Sequence, residues 1–178
     1  MACLRSFAEV SGILWKPQTV AKLAQRAEVE WVGNSCGIMD QLISACGVAG
    51  HVHIIDCRNL KMQPVKLPEG VRIIILDTKT RRGLIDSLYN ERHSQCLQAA
   101  GILGKSVLRD VNLAELESQS SKLSPLLYLR ARHVISENIR VQQAAEAILS
   151  NDLKYLGLLM EESHISLRDN FEVSNSAL

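Results

Sequence analysis

The sequence predicts an α+β fold, and three observations carry that expectation. Residues 51–77 hold alternating or continuous β-branched apolar stretches, ending in the run Ile73, Ile74, Ile75, Leu76. The residues before them show helical periodicity opened by a proline. After Asp77 nearly every segment reads as helix, so strands and helices are segregated along the chain and not interleaved.

The first element expected is a helix over Met1 to Leu14, with Phe7, Val10 and Leu14 on one face. No capping residue precedes it, and a further segment upstream of Met1 is expected. Pro17 suits the first position of a second helix, to about Glu30, because its missing N–H is one that a helix start leaves unpaired anyway. A small-residue loop, Gly33 to Gly37, separates this from a short helix over Ile38 to Cys46 that stops at Gly47. His51 to Cys57 and Lys61 to Leu67 read as strands. Val71 to Asp77 reads as a third, apolar enough to be buried on both faces.

Thr78 to Gly83 is polar and basic, and a domain joint is expected near residues 78–85, dividing the chain into 1–80 and 81–178. Helices are expected over Asp86–Leu103 and Leu113–Gln119. Ser124-Pro125 has the residues of a cap and first turn for a long helix to about Ser150. A last helix from Asn151-Asp152 carries Leu153, Leu156, Met160 and His164 on one stripe, and the tail from Asp169 to Leu178 reads as extended.

Composition excludes several classes. Lys plus Arg number 20 against 19 acidic residues, and no block of like charge provides the basic face that nucleic acid requires. The five cysteines (Cys3, Cys36, Cys46, Cys57, Cys96) are odd in number and contain no C-x-x-C pair, a usage that fits reduced thiols in a cytoplasmic protein. No apolar stretch approaches the ~18 residues of a membrane helix, and no signal-peptide pattern opens the chain. With 47% apolar residues the chain is rich enough for a real core.

The chemistry concentrates in Ala24 to Gln41, AQRAEVEWVGNSCGIMDQ. Two carboxylates, Glu28 and Asp40, flank the small-residue loop, and Asp40 falls in the first turn of the following helix. There the helix dipole and unpaired N–H groups favour its charged form. A fixed carboxylate beside a small-residue loop suits proton abstraction from a sugar hydroxyl. Two arbitrary acids would be a surface glutamate and a helix cap; the surrounding string changes that balance.

Cys36-Gly37-Ile38-Met39-Asp40-Gln41 resembles the central motif of the galactokinases, within the group of small-molecule kinases that includes homoserine, mevalonate and phosphomevalonate kinases. The resemblance continues, in order, through His51 to Cys57, Leu84 to Cys96, Leu108-Arg109-Asp110-Val111, Arg132 to Asn138 and Glu162 to Val173. It implies a two-domain kinase fold, of which this chain spans the later part of the N-terminal domain and the first, largely helical part of the C-terminal domain. It further implies galactose and ATP as partners, Mg²⁺ as cofactor and a monomer at full length. Asp40 matches the aspartate that accepts the proton of the sugar's anomeric hydroxyl, and Glu28 matches the glutamate that helps hold Mg²⁺. Gly37 matches a backbone position against the sugar, and Tyr89 a tyrosine whose hydroxyl contacts it. Val29 and Leu88 stand where many members have asparagine and glutamate. The family's opening sugar signature, its glycine-rich phosphate loop and its C-terminal glycine-rich motif are not among these residues. The chain is therefore expected to be an internal fragment, inactive alone. Two alternatives stay open: another sugar 1-kinase, for arabinose or N-acetylgalactosamine, and a non-catalytic galactose sensor of the same ancestry.

Three other features read as structural. Gly101 to Ser106 ends like a nucleotide-binding P-loop, but Ala99 stands where glycine is needed and a helix precedes it, so a helix stop at Gly104 is expected. His51 and His53 share a strand face without a third ligand nearby and read as exposed. Arg81-Arg82 reads as a solvated turn.

Overall fold

The computed structural model describes residues 1–33, 36–79 and 85–174, and in the first helix after residue 84 the side chains from Leu88 onward. The turn expected at Arg81-Arg82, most of the joint expected near 78–85, and the end of the tail lie outside the described residues. The chain divides into two compact units, Met1–Leu67 and Pro68–Leu178.

The first unit holds α1 (Ala2–Val10), α2 (Pro17–Ala27), a single π-helical turn (Glu28–Val32), α3 (Met39–Cys46) and the strands β1 (His51–Asp56) and β2 (Lys61–Lys66). Pro17 opens α2 as expected. The strands pair antiparallel from His51 opposite Lys66 to Asp56 opposite Lys61. The turn between them is built by side chains: Asp56 accepts from the Arg58 N–H and from Asn59 Nδ2, and Asn59 accepts from the Lys61 N–H. Such Asx bonds replace the missing ladder partners in a tight turn. Ala21 of α2, Ile38 and Leu42 at α3, and Leu60 of the turn form the core of this unit, with Ile55 and Met62 of the hairpin packed against it. Helices α2 and α3 are thereby fixed against each other and the hairpin.

The second unit is helical: α4 (Ile85–Ile102), a 3₁₀ turn (Leu108–Asp110), α5 (Leu113–Ser118), a second 3₁₀ turn (Ser120–Lys122), α6 (Pro125–Leu149) and α7 (Leu153–Asp169). Ala99 and Ala100 of α4, with Leu103 just after it, meet Leu127, Ala131 and Ile135 of α6, with Leu108, Val111, Leu116 and Leu123 closing the core from the short elements between. Caps set the boundaries. Asn112 and Glu115 make a reciprocal capping box at α5, Ser124 Oγ accepts from the Leu127 N–H at α6, and Asp152 accepts from the Tyr155 N–H at α7. The helix stop expected after α4 is present: Gly104 has φ 72°, and the Lys105 N–H returns to the Ala100 carbonyl. That 6→1 bond and left-handed glycine make a Schellman motif, not a phosphate loop.

Four expectations are corrected. Residues 71–79 form no strand, and Ile73 to Leu76 are exposed, Ile75 at 89%. A strand needs a ladder neighbour, and among the described residues β1 and β2 pair only with each other. Helix α1 stops at Val10, where the Ser11 and Ile13 N–H groups turn back to Phe7 and Ala8. The residues expected on one face, Phe7, Val10 and Leu14, are exposed, and Ala8 is the residue the helix buries. On α7 the inward face runs through Leu156, Leu159, Ser163 and Ser166, leaving Leu153, Met160 and His164 exposed. Ser163 and Ser166 face inward because each finds a polar partner there, Glu137 and His133. Apolarity alone therefore misplaces the stripe. Finally, His51 and His53 are half-buried, not exposed.

Candidate active site

Two helix ends and the loop between them build the site. Helix α2 does not stop at Ala27 but widens into the π turn Glu28–Val32, closed by Gly33 at φ 78°. A left-handed residue ends the helical path, and only glycine takes it without a steric cost. Single π turns are frequent at functional sites. This one carries Glu28, half-buried, as its first residue. Helix α3 starts after Ile38, which is buried in the core and offers no capping side chain. Asp40 therefore sits in the first turn, as expected, beside backbone N–H groups that no side chain caps. Its carboxylate is exposed and makes no hydrogen bond among the described residues.

Glutamines tie these ends together. Gln25, one turn before Glu28 on α2, donates Nε2 to the Cys36 carbonyl at 3.1 Å. Gln41, the residue after Asp40, donates Nε2 to Glu28 Oε2 at 2.8 Å and lies 3.8 Å from Cys36 Sγ. Burial pushes the Cys36 thiol up, and the Glu28 charge beside it adds to the rise. A raised thiol pKa favours the neutral form, which fits Cys36 as a packing residue.

The structure accordingly brings Glu28 into one hydrogen-bonded group with Cys36 and with Gln41, the neighbour of Asp40. Gly37 lies exposed between Cys36 and the buried Ile38. Tyr89 lies on α4 in the second unit, 43% exposed. The sequence did not single out Gln25 or Gln41 for a role. The i, i+3 spacing of Gln25 and Glu28 on one helix face was the available signal for the first.

Glu28 has the oxygen chemistry of a Mg²⁺ ligand. That ion usually takes one or two carboxylates beside nucleotide phosphates and water, not an all-protein cage. The absence of any cluster of three metal-ligating side chains among the described residues is compatible with such a site. A cleft lined by Trp15, Lys16, Pro17, Cys46, His53 and Met62 contains none of the candidate residues and lies apart from this chemistry. No helix among the described residues is long and apolar enough to cross a membrane.

No protein-family model matches the chain. Among solved structures, the galactokinase of Lactococcus lactis in complex with galactose is similar to 97% of this chain, with 25% sequence identity and a TM-score of 0.87. The chain covers 46% of that protein and so spans about half its length. Over nearly its whole extent, this chain has a galactokinase-like fold.

Proposed function

We propose that this chain is the central part of an ATP-dependent galactokinase, joining the end of one kinase domain (1–80) to the start of the next (81–178). The likeness to a galactose-bound galactokinase over 97% of the chain carries this reading. The placement of Asp40 in the first turn of α3, exposed and free to accept a proton, supports the chemistry. In that chemistry the C1 hydroxyl of galactose attacks the γ-phosphorus of ATP. The O–H proton passes to Asp40, the bond from γ-phosphorus to the bridging oxygen breaks, and α-D-galactose 1-phosphate and ADP leave. Phosphoryl transfer asks a protein mainly for positioning and charge, and a carboxylate base adds about 10²–10⁴-fold. Gly37 and Tyr89 are the proposed sugar contacts, Gly37 through its backbone and Tyr89 through its hydroxyl. Glu28 would hold Mg²⁺, which when bound neutralises phosphate charge.

The test uses a polypeptide that joins residues 1–178 to a galactokinase phosphate loop, because phosphoryl transfer depends on ATP phosphates held in position. Asp40→Asn keeps the shape and removes the proton acceptor. Galactose-dependent ADP release is expected to fall about 10²-fold or more, with calorimetric galactose affinity changed far less. Unchanged turnover would reduce Asp40 to a residue of the helix start.

A further inference from the structure

We infer that Gln41 is the positioning residue for Glu28, and that it makes the two carboxylates one geometric unit. The inference rests on the reading of Glu28 as a metal carboxylate and goes beyond it by naming what aims that carboxylate. Glu28 begins a π turn, a local departure from the regular α-helix before it. Its carboxylate is on a flexible side chain, and among the described residues no side chain of α2 bonds to it. A side-chain donor on it comes from α3: Gln41 Nε2, 2.8 Å from Oε2, and the Cys36 thiol also bonds to Glu28.

The same amide reaches Cys36 Sγ at 3.8 Å, so it spans the loop between the helices. Its other end makes the argument sharper. Gln41 Oε1 is buried and has no hydrogen-bond donor. Leaving a buried acceptor unpaired is costly. The amide is therefore not oriented by its own carbonyl; its orientation is set by donation to Glu28. That donation engages Oε2 and fixes the plane of the carboxylate relative to α3. Because Gln41 follows Asp40 on a helix whose Leu42 is fully buried, the link fixes Glu28 to the element that carries the proton acceptor. Such partners of a ligating carboxylate typically matter about 10–100-fold in metal affinity or activity.

The experiment uses residues 1–178 and Mn²⁺ alone, read by paramagnetic broadening of the backbone amide signals of residues 26–32 in nuclear magnetic resonance spectra. In the wild type, Mn²⁺ is expected to broaden these signals, and Glu28→Gln is expected to abolish the effect. Gln41→Met, which keeps length and bulk but removes the donor, is expected to require about tenfold more Mn²⁺ for equal broadening. Unperturbed amide positions outside 26–41 verify that each variant is folded. No broadening in the wild type, or broadening that survives Glu28→Gln, overturns the metal reading and this inference with it. Broadening lost in Glu28→Gln but unaltered in Gln41→Met overturns the inference alone.

Discussion

At the scale of the residue, His133 is the group whose chemistry the fold alters most. It is buried on α6, with Nδ1 2.8 Å from Ser166 Oγ and its ring stacked on Phe171 at 4.3 Å. Burial, helped by the positive charges of Arg140 and Arg130, lowers its pKa to about 4. The unfolded chain takes up the proton near the ordinary histidine value, so as pH falls the unfolded state is favoured first. Stability from this group is complete above about pH 6.5 and is lost as pH drops towards about 4. Between about pH 7 and about pH 5 the loss should be about 2 kcal/mol, and His133→Gln should flatten that slope. Urea unfolding at the two pH values checks this; equal pH slopes in wild type and variant would show that His133 is not the sensor. Residue-level legibility was uneven. Asp40 was visible as a first-turn acid because a small-residue loop precedes a short apolar helix. The link from Gln41 to Glu28 was not, since a hydrogen bond across the loop leaves no periodicity to read.

At the scale of the element, caps proved more informative than stripes. The start of α6 at Ser124-Pro125 and the stop of α4 at Gly104 were both legible, because each depends on one residue type doing one local job. Ser124→Ala removes the acceptor for the Leu127 N–H and should destabilise the second unit by about 1 kcal/mol, whereas Ser124→Asp should preserve it. Chemical denaturation of the two variants distinguishes them, and equal midpoints would mean that the cap contributes nothing. The π turn after α2 was not legible: its residues, Glu28 to Val32, continue the helical pattern, and the widening is visible only in the backbone. The supposed strand over 71–77 failed for the opposite reason. Its composition is suitable, but strand formation is a property of a pair, and a sequence pattern describes one member.

At the scale of the whole molecule, the apolar residues that remain uncovered are the main feature. Phe7, Val10, Ile13, Leu14, Trp31 and Val32 are exposed in the first unit, and Ile73 to Leu76 in the second. The two-stranded sheet also has open edges among the described residues. Exposed apolar patches and unpaired strand edges are sites of association. Residues 1–178 alone should therefore show an apparent mass that rises with concentration in size-exclusion chromatography. A sharp monomer at every concentration, with a cooperative melt, would contradict this. That strands give way to helices along the chain was legible because apolar spacing changes from the hairpin to α4. The position of each helix in its unit was not, since it depends on side chains distant in sequence.

The end of α7 shows what such distant contacts imply. Arg130, 1% exposed, donates to the Asn170 carbonyl and to the Glu172 carboxylate, and Arg92 donates to the Phe171 carbonyl. Two of these three bonds grip the main chain, which every residue type provides. The guanidinium groups thus measure chain length more than they read side-chain identity. Another residue at 170 or 171 still offers its carbonyl to them. One residue inserted or deleted before Glu172, by contrast, would carry its carboxylate out of register with Arg130, and a buried cation would lose its counter-charge.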